Sequence, residues 1–316
     1  MLVDSPVLCM LESPARRSFK RAAGHDNHFL ITVHVGLAAV QAGTAKLPPE
    51  MRVGWDPRDR EASAERSRGF ANKAALAWTI DTLEAYLDFL RVEPHFASQD
   101  IREGLQGAIE REEGIAGKIR SAAKEAGQRG TPEAVLAEIG VAWRNRLVHQ
   151  KATSKIKREL VGVARRSAEH YLDFYQGMRI DELIERADAR PAIAPTLKEV
   201  TAVIRACQKL VEKVDEYVLG GVVLSGYLTQ VLVHHLSGDM DLESEGANER
   251  AGKIWGKSEV RVRSKILEIA RNNGFSDFRQ GSANSVKESE IMLLARMTPA
   301  EAVRVLVPRA SSLLRS

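Results

Sequence analysis

Cysteine is close to absent from this chain. Cys9 and Cys207 stand far apart, without CxxC or Cys/His ligand spacing, which excludes a disulfide framework and a zinc knuckle and suits a reducing cytoplasm. Aromatic residues are sparse, at 5% of the chain, while Ala, Leu, Glu and Arg are plentiful, a balance that favours helix over sheet. Alternation long enough for a β-sheet, internal repeats and low-complexity tracts are missing, so the fold class expected is all-α. There is no Walker lysine loop, no GxGxxG after a strand, no GxSxG elbow and no HExxH, which leaves nucleotide-driven, Rossmann, α/β-hydrolase and zincin chemistry without a motif and no cofactor implied. Asp4, Pro6 and Glu12 interrupt the apolar N-terminus and spoil a secretory signal. From Tyr217 to Gly238 no residue is formally charged, but Gly220, Gly221, Gly226, Gln230, His234 and His235 dilute the run, which reads as a buried core helix rather than a membrane span.

What is present is a chain of 316 residues, 44% hydrophobic and 28% charged, long enough for a sizeable core. A formal charge of +4 and a pI near 9.0 make the surface mildly basic, which permits a polyanionic partner without requiring one. Residues 1–58, with one apolar segment followed by the breaker-rich KLPPEMRVGWDPRDR, read as an N-terminal extension. A helical bundle over 59–219 and a helical C-terminal region over 220–316 follow.

In the bundle, Leu76, Ile80, Leu83, Leu87 and Leu90 recur at steps of four and three, one face of a helix that Pro94 ends. Asp100 with Glu103 predicts a capping box for a helix carrying Ile101, Leu105, Ile109, Ile115 and Ile119. Thr131 and Pro132 supply an N-cap and a first-turn proline for TPEAVLAEIGVAWRNRLVH. A further helix is expected on Ile156, Leu160, Val163, Ala164, Tyr171 and Tyr175. Thr196 and Glu199 then cap a helix in which Leu197, Val200, Ile204, Cys207, Val211, Val214 and Val218 form a bundle seam, packed on the preceding helices or on a second copy. Thr298, Pro299 and Glu301 start one last short helix.

The stretch AWRNRLVHQK, residues 142–151, bunches Arg144, Asn145, Arg146 and His149 behind a tryptophan with no carboxylate between them. Asn145 and His149 are four apart and share a helix face, whereas Arg144 points about 140° away from His149 on a straight helix. One copy brings Arg144 and His149 together on a small group with difficulty; two copies paired across an interface can do so.

Arg144-Asn145-Arg146-Leu147-Val148-His149 resembles the R-x4-6-H signature of the HEPN superfamily of helical ribonucleases and RNA-binding proteins, in which Asn, Asp or His usually follows the arginine. The order of long helices around it is also similar, over roughly residues 65–178. The pattern recurs from Arg165 to His170 and from Arg21 to His28, but only Arg144 has a polar, uncharged follower together with the helical setting. The resemblance implies a HEPN-like antiparallel helical bundle, a homodimer, and metal-independent endoribonuclease activity on RNA, in prokaryotic defence or a toxin–antitoxin context with a regulatory protein partner. In that chemistry His149 would move a proton at the ribose 2′-hydroxyl or the leaving oxygen, Arg144 would hold the scissile phosphate, and Asn145 would orient either group.

Two blander readings stay open: arginine and histidine at a helix end can simply cap carbonyls, and a HEPN-like module can bind RNA or a protein without cutting. A structural assembly protein built on the Leu197–Val218 seam is a third. For RNA contact, Arg146 and Lys151 flank the motif, and Lys253, Lys257, Arg261 and Arg263 belong to a basic stretch with Trp255 available for stacking. The HDNH string at 25–28, with His34 beyond it, reads as a loop without strict metal spacing, so no metal site is expected.

Overall fold

The computed structural model describes every residue except 1–3, 52, 150–154, 238–243, 283 and 308–316. Its elements begin with β1 (Pro6–Cys9), α1 (Pro14–Gln41), α2 (Arg60–Phe89), α3 (Gln99–Glu110) and α4 (Gly114–Glu125). Next come α5 (Pro132–Val148), α6 (Arg158–Arg166), α7 (Ala168–Phe174), α8 (Ile180–Asp188) and α9 (Leu197–Gly221). The chain continues through α10 (Leu224–Ser237), α11 (Ser244–Trp255), α12 (Glu259–Asn272), β2 (Ser276–Asp277), β3 (Ser285–Lys287), α13 (Glu288–Ala295) and α14 (Pro299–Leu306). The protein is therefore all-α in class, with one small sheet.

Two compact units divide the chain discontinuously: one takes residues 16–88 and 103–214, the other 1–15, 89–102 and 215–316. The expected three consecutive segments are not how the structure divides. Residues 1–58 do not stand apart as an extension, because β1 belongs to one unit and nearly all of α1 to the other.

In the first unit the bundle forms as its periodicity dictates. Leu76, Ile80, Leu83 and Leu87 of α2 are all buried, and the Thr131 side chain accepts a hydrogen bond from the Ala134 amide at 3.4 Å to start α5. Gly140 lets α5 press against its neighbours: a Cβ there would lie 2.9 Å from Val203 Cγ1 and 3.3 Å from Ile80 Cδ1. The capping box of α9 forms in full, with Glu199 accepting from the Thr196 amide at 2.6 Å and the Glu199 amide donating back to Thr196 Oγ1. The seam of α9 from Val200 to Val218 is buried within the chain, with Leu197 exposed, so Val211 and Val214 are not available as an oligomer surface.

Three predicted helices are each broken. The one begun at Asp100 starts instead at Gln99, leaving Asp100 in the first turn, and it splits into α3 and α4 where Glu112 and Gly114 take φ of 53° and 61°. The one after Ile156 splits at Ser167 into α6 and α7. The uncharged run from Tyr217 to Gly238 bends by 96° between α9 and α10 just after Gly220 and Gly221, with the Asn284 side chain donating to the carbonyls of Leu219 and Val222 at the break. No single helix among the described residues is long and apolar enough to cross a membrane. His234 is half-buried and His235 exposed on α10.

The second unit is organised differently. β1 is the centre of a three-stranded antiparallel sheet in the order β2-β1-β3, pairing Leu8 with Asp277 and with Val286. An aromatic ladder, Phe89–Phe96–Tyr227–Phe275, runs at centroid spacings of 6.2, 6.1 and 5.5 Å and ties residues 89–102 to the C-terminal helices.

Candidate functional site

The last turn of α5 gives its clustered polar residues three different fates. Trp143, fully buried, anchors the turn and donates from Nε1 to the Ile193 carbonyl at 3.0 Å. Arg144 keeps 20% of its side chain exposed and donates from Nη2 to Asp81 Oδ1 at 2.8 Å and from Nη1 to Asn145 Oδ1 at 3.2 Å. Its Nε is buried without an acceptor among the described residues, a cost of about 1–3 kcal/mol for a polar group sealed from water. Asn145 is half-buried and thereby oriented.

His149 is the C-cap of α5. Its backbone leaves the helix with φ −106° and ψ 98°, its amide still donates to the Asn145 carbonyl at 2.9 Å, and it is exposed. No hydrogen bond joins it to Arg144 among the described residues. One copy of the chain thus presents an oriented arginine–asparagine pair and a solvent-facing histidine in succession.

Arg146 departs from its expected role as a phosphate contact. Only 4% of its side chain is exposed, and it donates to the carbonyls of Ala187, Asp188 and Ala189 and to Asp188 Oδ1, at 2.6–3.0 Å. It serves as the C-cap of α8, because a helix end leaves its last carbonyls without partners and a guanidinium fork can answer several at once. Lys151 lies outside the described residues.

Two exposed aromatic residues of α2, the helix that carries Asp81, are not signalled by the motif. Trp78, 50% exposed, lies one turn before Asp81 on α2, and Phe70, 76% exposed, lies two turns before Trp78. Val148, half-exposed, is the last residue of α5. The available signal was their place on the helical wheel, well off the Leu76–Leu87 stripe where α2 should carry polar groups.

The basic stretch of the second unit is mostly committed. Arg263 clamps Glu288 through Nε and Nη2 at 2.7 and 2.8 Å, and Lys253 pairs with Glu249 at 2.7 Å. Lys257 and Arg261 are exposed, without a partner among the described residues. Trp255, expected as a stacking platform, is buried and donates to the Leu294 carbonyl at 2.8 Å, so its ring is not available.

HDNH is helical, inside α1, not a loop; His34 Nε2 lies 2.8 Å from Asn72 Oδ1, and no group of three His, Cys, Asp or Glu suited to a metal occurs among the described residues. In the second arginine–histidine match, Arg165 pairs with Asp181 at 2.8 Å and His170 with Glu133 at 3.0 Å.

Compared with family models, curated proteins and solved structures, the chain matches none.

Proposed function

We propose that this protein is a HEPN-like, metal-independent endoribonuclease of the cytoplasm whose site is completed by a second copy, with Arg144, Asn145 and His149 as its working groups. The observation that carries the reading is the exposed C-cap His149 five residues beyond an arginine oriented by Asp81 and Asn145. Histidine, as a residue type, exchanges protons near neutral pH, and a guanidinium matches the oxygens of a phosphate. Because the two point apart on one helix, a homodimer that buries Phe70, Trp78 and Val148 would bring the histidine of one copy toward the arginine of the other. The nucleophile is the ribose 2′-hydroxyl: it loses its proton as its oxygen attacks phosphorus, the bond to the 5′-oxygen breaks, that oxygen takes a proton, and a 2′,3′-cyclic phosphate remains. On this reading the enzyme serves in prokaryotic defence or a toxin–antitoxin system, under a regulatory protein partner.

The test is incubation of wild-type and His149→Ala protein with mixed RNA in EDTA, followed by end-group analysis. Cleavage that survives chelation, ends in cyclic phosphates, spares DNA and falls by about 10²-fold or more in a folded His149→Ala dimer is the expected result. Absence of cleavage by the wild type would move the assignment to a second reading, a HEPN-like module that binds RNA or a protein. The Arg144–Asp81 ion pair favours that reading, since it occupies the guanidinium. Asp81→Asn separates the two roles of the carboxylate: as a positioning residue its loss lowers kcat more than it raises KM, whereas as a competitor for Arg144 its loss tightens RNA binding.

A further inference from the structure

The first unit holds a cleft of about 710 Å³ between α1 and α9, with Gln176 at one end, and the nuclease reading makes no use of it. Four cations line it, Arg16, Lys20, Arg205 and Lys209, against the single carboxylate of Glu212. Glu212 is already engaged by Arg16 at 3.2 Å and by Lys209 at 2.7 Å, and these bonds, Lys209 first, hold its pKa below the usual carboxylate range. Arg205 is exposed and has no carboxylate partner among the described residues; its guanidinium lies 5.8 Å from the ring centroid of Tyr175, which steadies it at the edge of the cleft.

The remaining lining narrows the ligand. Ile31 and Leu197 are exposed apolar walls, and Phe19, Ile204 and Val211 close the floor. Asn27, Gln176 and Gln208 add three carboxamides, each with an acceptor and two donor positions, the mixture that a nucleobase edge requires. Gln176 holds its place at a φ of 55°, in the left-handed region that disfavours a side chain. A lone inorganic ion would leave most of such a volume empty, and a fatty acid would make no use of the three carboxamides.

We infer that this cleft binds a nucleoside 5′-phosphate, with the base between the apolar walls and the carboxamides and the phosphate on Arg205 and its neighbouring cations. The same chemistry is offered by a free nucleotide and by one nucleotide unit of an RNA strand. The inference does not rest on the nuclease reading and is tested without it.

The experiment uses the full chain carrying His149→Ala, so that RNA is not consumed. Calorimetric titration with the four ribonucleoside 5′-monophosphates and with inorganic phosphate runs beside fluorescence anisotropy of a labelled single-stranded oligoribonucleotide. Arg205→Gln removes the exposed cation, and Thr201→Trp fills the cleft without changing its charge. The expected result is that at least one monophosphate binds about tenfold or more tighter than phosphate, and that both variants weaken it by about tenfold or more. If only the oligoribonucleotide binds and both variants weaken it equally, the site is a strand-binding one. The inference is overturned if no nucleotide outbinds phosphate and the oligoribonucleotide does not bind, or if Arg205→Gln leaves whatever binding is seen unchanged.

Discussion

The two units hold themselves together with different materials. The motif-bearing unit buries charge: Lys118 between Glu84 and Asp88, Glu138 against Arg120, Glu199 in the α9 cap, and Arg146 on the end of α8. Its counterpart relies on the aromatic ladder, the small sheet around Leu8, and one buried carboxylate, Asp215, which accepts from the Ser13 amide at 3.1 Å and from the Ser13 hydroxyl. A buried charge is tolerated only when paired and hydrogen-bonded, so it specifies which groups must meet, whereas apolar ring contacts, here tilted, edge-on and stacked in turn, specify less. The unit that carries Arg144 is the one with the buried, paired charges.

The largest test of that contrast is Trp143→Ala, which leaves a cavity at the base of the motif turn and should destabilise its unit by about 3–5 kcal/mol. The two cysteines report on the units separately. Cys207 is fully buried in the motif unit, its thiol pushed up to about 12 by burial, and Cys9 is fully buried in β1 of the other. Pulsed iodoacetamide labelling with peptide mapping should show Cys207 deprotected in the variant while Cys9 stays protected. Simultaneous deprotection would mean that the units unfold as one, and the comparison would fail.

A smaller effect separates the arginine caps. Arg146→Ala strands three carbonyls and a carboxylate and should cost about 2–3 kcal/mol, lowering the denaturation midpoint of the motif unit. Arg250 caps the end of α10 through the carbonyls of Leu236 and Ser237 but is only half-buried, so Arg250→Ala should cost about 1–2 kcal/mol. Equal losses would show that burial of the guanidinium does not set the scale.

The smallest effect is a difference in response to acid. Burial raises the pKa of Glu138 above 4.5 despite its bond from Arg120, so the fold binds the proton more tightly than the unfolded chain, and this contribution is lost as pH rises through the window above 4.5. Desolvation, and after it the charges of Lys265, Arg250 and His234 against that of Glu268, lower the pKa of His235 from 6.5 although the residue is largely exposed; the unfolded chain takes up its proton first, and stability is lost as pH falls below 6.5. Between about pH 6.5 and 4.5 acid should therefore weaken the His235 unit relative to the Glu138 unit. Denaturant titrations read by the two cysteines check this, and Glu138→Gln and His235→Asn should each flatten the slope of their own unit.

Local signals were legible where one helix face or one cap decides the outcome. The α2 stripe, the Thr131 cap, the Thr196–Glu199 box and the Thr298–Glu301 box all formed as spelled. The sheet was invisible because its strands are two to four residues long and pair Leu8 with Asp277 and Val286, far away in sequence. At the candidate site, the polar cluster could be read directly, but the exposure of His149, the pairing of Arg144 with Asp81 and the capping role of Arg146 could not, because all three depend on what lies opposite.

By itself the sequence determined the all-α class, the positions of most helix starts and the bunching of Arg144, Asn145 and His149 within about a turn and a half, since propensity, capping and 3.6-residue periodicity act within a few residues. Tertiary structure alone decided that Arg146 is a cap, that Arg144 faces Asp81, and that α1 and α9 enclose a cationic cleft. Those outcomes turn on desolvation, and whether a charge is answered by a backbone carbonyl, a carboxylate or a ligand depends on neighbours that arrive from distant parts of the chain.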